Sequence, residues 1–150
     1  MQLVKDFFKS RRLGFYFTVA AVLLALIQVI IYAAAFSTTR FIVYKHWSVI
    51  MFSVFAILAG IGLSCTKWTE TFAPVAILVF EVLSFVMFVK FGYMFFSEHF
   101  YGGVTLETIF SLHYGYLGSI ILYILTWAVS AAAMFMRQSK KVKVERGAVA

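Results

Sequence analysis

The chain has 150 residues, of which 63% are hydrophobic and 13% charged, with a net charge of +7, one proline and one cysteine. So apolar a composition excludes a soluble domain of this size, the lone Cys65 excludes an internal disulfide framework, and the scarcity of charge and proline excludes a disordered chain. What remains is an all-α integral membrane protein with room for one small bundle and short loops.

A helix needs about 20 apolar residues, at 1.5 Å each, to cross a hydrocarbon core of roughly 30 Å. Residues 13–36 supply 24 without a charge and predict the first span. A basic start, an apolar run and the triplet Ala33, Ala34, Ala35 also suggest a cleavable signal. The run is longer than the roughly 7 to 15 residues of a signal core, so retention is expected. Residues 48–66 predict a second span, 74–96 a third and 117–136 a fourth. Pro74 stands at the start of the third, where its missing N–H is harmless. The expectation is a single domain over 1–150, four spans in an up-and-down bundle with short connections.

Positive residues collect on the cytoplasmic side of short loops. Lys5, Lys9, Arg11 and Arg12 precede the first span, Lys67 lies between the second and third, and Arg137, Lys140, Lys141, Lys143 and Arg146 follow the fourth. Against these ten, only Arg40 and Lys45 flank the spans on the opposite side. Both termini are therefore expected in the cytoplasm, with 137–150 a basic tail, in a plasma membrane of bacterial type. Tyr32, Tyr44, Trp47, Tyr93, Tyr101, Tyr114 and Tyr116 fall near the outer edge, and Trp68 and Tyr16 near the inner one, where amphipathic rings prefer to sit.

Glu81 is the strongest oddity, because an ionisable group in hydrocarbon faces protein or water. It lies seven residues into the third span, about 10 Å from the inner edge. Counting the other helices from their inner ends brings Thr18 and Ser130 to a similar level, where their hydroxyls can meet the carboxyl. Three readings stand: a protonated carboxyl bonded between helices, a contact with a partner subunit, and a proton or ion coupling site. Lys90 does not pair with Glu81, since nine residues at 100° put the two on opposite faces, about 13 Å apart along the axis. Its stem can snorkel to the outer interface. Alternatively Lys90 and Gln28, at nearly the same depth, line a polar pocket open to the outside.

Small residues mark where helix backbones approach. Ala56, Gly60 and Ser64, at four-residue spacing with Gly62 nearby, predict the packing face of the second span, and Ala21 with Ala25 that of the first. In the loop after the third span, Gly102 and Gly103 predict a turn and Thr105 an N-cap with Glu107 in the first turn. Leu106, Ile109, Phe110 and His113 follow at helical spacing, predicting a short helix on the outer membrane surface. Glu98, His99, Glu107 and His113 match no ligand spacing, so neither metal nor cofactor is expected. Cys65 reads as a small buried apolar side chain.

No phosphate loop, paired acids or nucleophile with a base at readable spacing is present, which argues against an enzyme. Two classes of function remain. One is a helical subunit or scaffold that binds other membrane proteins or a second copy of itself. The other is a small dimeric transporter or channel coupled through Glu81, dimeric because four such apolar helices hardly enclose a water path alone. Lipids are partners on either reading, anionic ones through the basic tail; nucleic acid is not.

Overall fold

A computed structural model describes residues 12–37, 45–66 and 68–138. Helices α1 (Leu13–Ala35) and α2 (Trp47–Cys65) are followed by a 3-10 turn (Glu70–Phe72), α3 (Ala73–His99), α4 (Leu106–Phe110) and α5 (Tyr114–Phe135). There is no strand among the described residues. Four helices, α1, α2, α3 and α5, are long and apolar enough to cross a membrane, the pattern of a multi-pass membrane protein. Each of their ends lies within three residues of a predicted span end. The cations Lys5, Lys9, Arg11, Arg40, Lys67, Lys140, Lys141, Lys143 and Arg146, with Tyr44, lie outside the described residues.

Local chemistry sets the helix ends. Pro74 occupies the first turn of α3, where a fixed φ is already helical and no N–H is needed. The 3-10 turn delivers the chain into it, with the Ala73 N–H bonded to the Glu70 carbonyl. Two histidines cap helices: His46 Nδ1 accepts from the Ser48 N–H and His113 Nδ1 from the Gly115 N–H, each at 3.3 Å. Thr105 caps α4 in a reciprocal box with Thr108, entered from Gly103 at φ +109°, a conformation that glycine adopts without strain. Helical spacing carried α4 to His113, but the helix stops at Phe110. His113 is extended, at φ −53° and ψ 134°, because its ring serves the first turn of α5 instead. That cap starts α5 at Tyr114, three residues before the predicted span.

The helices bury their small and polar faces and turn their aliphatic faces outward. Gly14, Thr18, Ala21, Ala25, Gln28, Tyr32 and Ala35 form the buried stripe of α1, and Val49, Ser53, Ala56 and Gly60 that of α2. In lipid, close packing and interhelical hydrogen bonds drive association because every outer surface is equally apolar. α1 packs on α2 and α5, and α3 packs on the same two helices; the α1–α3 diagonal contact is slight. A methyl placed on Gly115 would overlap the Ala35 methyl, and one on Gly60 would come within 2.6 Å of Val22 and 2.8 Å of Ile77.

We call the end where α1 begins and α5 finishes the base, and the other end the top. At the top Tyr32, Phe36, Phe88, Tyr116 and Leu112 form an aromatic layer, with Phe95 stacked on Tyr116 at 4.2 Å. Nearer the base Ala21, Ala56 and Ile77 form a smaller aliphatic layer. The chain beyond α5 closes the base: Gln138 is buried, its amide donates to the Ala133 carbonyl at 2.9 Å, and its own carbonyl accepts from the Arg12 N–H at 3.0 Å. Arg137 is exposed, while residues 139–150 of the expected tail lie outside the described residues.

Candidate functional site: a polar cluster between two apolar layers

Between the aromatic and aliphatic layers each of the four long helices contributes a polar side chain to one cluster. α1 gives Gln28, α2 gives Ser53, α3 gives Glu81 and Ser84, and α5 gives Tyr123; none is more than 1% exposed. Ser53 is the hub. Its Oγ lies 3.0 Å from Gln28 Oε1, 3.4 Å from Glu81 Oε2 and 2.9 Å from Ser84 Oγ. Ser84 Oγ in turn lies 2.7 Å from the Tyr123 hydroxyl and donates to the Val49 carbonyl at 2.8 Å. Two further polar atoms of the cluster, Gln28 Nε2 and Glu81 Oε1, are buried without a hydrogen-bond partner among the described residues.

Helical spacing explains why these residues meet. Gln28 lies seven residues after Ala21, Ser53 three before Ala56, and Glu81 four after Ile77, so each shares a face with a member of the aliphatic layer. Ser84 follows Glu81 by three residues and turns the same way. Tyr123 comes nine residues into α5, far deeper than the interfacial tyrosines.

The structure brings Glu81 together with Gln28 but not with Thr18 or Ser130. Thr18 Oγ1 sits at the base, 3.1 Å from the Gly14 carbonyl and 3.1 Å from Gln138 Oε1. Ser130 is buried, and its hydroxyl has no partner among the described residues. Counting from helix ends failed because those ends are not level. Gly60 touches both Val22 and Ile77, so the ninth residue after Leu13 stands beside the fourth after Ala73, and α1 starts about 7 Å lower than α3. Gln28 is thereby bound into the cluster rather than facing Lys90. Lys90 is exposed, its Nζ 5.6 Å from the centre of the Phe91 ring. Ala56 and Gly60 are buried against their neighbours, Ser64 is half-buried, and Gly62 is exposed with open space around it.

Ser53, Ser84 and Tyr123 were missed by sequence reasoning, although a signal existed for each. Ser53 lies on the Ala56 and Gly60 stripe, Ser84 is one turn beyond the only acid within the predicted spans, and Tyr123 is out of place for an interfacial ring.

Chemically, the cluster offers one carboxyl, one amide and three hydroxyls, closed off from either end of the bundle. Such a set can hold a proton and bind helices to each other. Among the described residues no three His, Cys, Asp or Glu side chains come together to hold a metal ion; His99 Nε2 instead meets the Thr108 carbonyl at 2.8 Å. Comparison of the chain with known protein families, with curated proteins and with solved structures found no match.

Proposed function

We propose that the protein is a non-enzymatic helical subunit or scaffold that binds other membrane proteins side to side within the bilayer. One observation carries this reading: apart from the exposed Lys90, the strongly polar groups within the spans are gathered inward, while the outer faces are largely aliphatic and aromatic. Leu23, Leu26, Ile27 and Ile30 of α1, Leu58 and Ile61 of α2, Val79 and Val86 of α3, and Ile124 of α5 are all exposed. A surface with no polar path along it suits contact with lipid or with another helix, and it suits neither solute passage nor catalysis. The α1–α5, α1–α2, α2–α3 and α3–α5 contacts support an up-and-down bundle. Exposed Val104, Leu106 and Phe110 support a position for α4 on the membrane surface. The ten-to-two bias of flanking cations supports cytoplasmic termini in a plasma membrane of bacterial type.

Photo-crosslinking side chains at Leu23, Ile61 and Ile124 in native membranes test the reading. A discrete membrane-protein adduct from at least one position, absent when the crosslinker replaces buried Ala56, is the expected result. Adducts to lipid alone from all three would overturn it.

A second reading, a small dimeric transporter or channel coupled through Glu81, draws on Glu81 Oε1 and Gln28 Nε2, buried without a partner among the described residues. Buried ionisable groups of this kind mark proton relays in transporters. A pH-driven flux in liposomes that Glu81→Gln abolishes would put this reading first.

A further inference from the structure

The distances within the cluster fix where its hydrogens lie. Four contacts of 2.7–3.0 Å and a longer one of 3.4 Å, between Ser53 and Glu81, join its oxygens to one another, to the Gln28 side chain and to the Val49 carbonyl. Each needs one hydrogen, and a hydroxyl supplies only one. Ser53, Ser84 and Tyr123 therefore provide three. Val49 offers only a carbonyl, so the Ser84 hydrogen goes there. Tyr123 then donates to Ser84, and Ser53 also donates to Ser84, whose two lone pairs are filled. This leaves Ser53 with two lone pairs and two neighbours, Gln28 and Glu81, both of which must donate.

Only one arrangement of those two neighbours supplies the missing hydrogens. A planar amide presents the same shape when turned by 180°, and its oxygen and nitrogen are assigned from their partners. Turning the NH2 of Gln28 toward Ser53 gives the fourth hydrogen. It also removes a buried donor without an acceptor and leaves an oxygen in its place, and unpaired acceptors are the better tolerated of the two. The fifth hydrogen is the acid proton of Glu81.

We propose that the cluster is a proton-binding site, in which Glu81 in its acid form and the Gln28 amide both donate to Ser53, and that this proton ties α3 to α2 at the residue that also holds α1. Release of the proton to hydroxide in the surrounding water breaks the Glu81 O–H bond and sets a carboxylate against the Ser53 oxygen. Ser53 must then turn its hydrogen to Glu81 and surrender Ser84, so a single deprotonation rearranges both hydrogen bonds by which Ser53 joins α2 to α3. Tyr123 of α5 is the titratable group nearest the carboxyl in this network, Tyr32 of α1 lies one turn above Gln28, and α2 presents only Ser53. The inference rests on the cluster itself and is independent of whether the protein is a subunit or a transporter.

Infrared spectra of the full-length protein in lipid nanodiscs test it, with glutamate carrying carbon-13 to identify the band. Wild type at neutral pH should show the carbonyl stretch of one protonated glutamic acid, sensitive to the isotope. That band should vanish in Glu81→Gln and move to higher wavenumber in Ser53→Ala, where the acid loses its acceptor. A neutral-pH spectrum with only ionised glutamates would overturn the proposal. So would a protonated band that Ser53→Ala leaves in place. Should Glu81→Gln fail to fold, the isotope-shifted wild-type band and its response to Ser53→Ala still decide the matter.

Discussion

At Ser53 one hydroxyl serves three neighbours on two other helices, whereas the Tyr123 hydroxyl makes its close contact with Ser84. The two should therefore differ when removed. Ser53→Ala leaves several buried polar groups without their common partner and is expected to lower stability by about 1–3 kcal/mol, while Tyr123→Phe removes one donor and costs about 0.5–1.5 kcal/mol. Equilibrium unfolding in bicelles reads both, and equal losses would mean that Ser53 is not the hub. These residues also show what the sequence could carry. Glu81 and Gln28 stood out because their polarity conflicts with their surroundings. Serine and tyrosine raise no such conflict, being common in spans and at interfaces, and only a helix-by-helix comparison of faces reveals them. Partners could not be assigned by depth, because the vertical offset of α1 against α3 depends on packing at Gly60 and not on any residue near Glu81.

For the elements, the apolar runs and Pro74 were enough to place four helices, since a span is defined by length and hydrophobicity alone. The end of α4 was not legible: His113 keeps helical spacing with Leu106 and Phe110, and only its ring position shows that it belongs to α5. This cap should be sensitive to acid. Burial lowers the His113 imidazole below its ordinary range, so as the pH falls the unfolded chain takes up the proton first. The stability it contributes is complete above the ordinary imidazole pKa of about 6.5, and is lost as the pH drops through the lower, folded value. His113→Asn, which caps without titrating, should flatten the low-pH part of a plot of Tm against pH. A slope unchanged from wild type would assign that acid sensitivity elsewhere. Glycine contacts give a second test at this scale. Gly115→Ala pushes into Ala35 of α1 and is expected to cost about 1–3 kcal/mol through overpacking. Gly62→Ala meets open space and should be neutral or slightly stabilising, as alanine favours the helix by up to about 1 kcal/mol. Equal Tm values for the two variants would deny the close α1–α5 approach.

On the scale of the whole molecule, orientation in the membrane is the most direct prediction. In a Cys65→Ser background, cysteines replacing exposed Trp68 and exposed Gly103 should report opposite sides. An impermeant thiol reagent applied to intact cells is expected to label position 103 and spare position 68. The reverse pattern would invert the topology. Burying the small faces of the helices also leaves Cys65 exposed at the base end of α2, which is why the background substitution should be silent in stability.

The unequal helix lengths have a consequence for the lipid around the protein. α2 has 19 residues and α3 has 27, which at 1.5 Å each are about 28 Å and 40 Å. The first matches a hydrocarbon core of roughly 30 Å and the second exceeds it by about 10 Å. Packing on α2 and α5 limits the tilt with which α3 can absorb this. The surplus stands at the top, where Phe95 and Phe96 pack around Tyr116. On the α3 flank the bilayer must thicken or the last turns must meet water, whereas the α2 flank fits an average bilayer. In a bilayer the protein would thus present two flanks of different height, and lipid of matching thickness would be favoured on one side of it over the other.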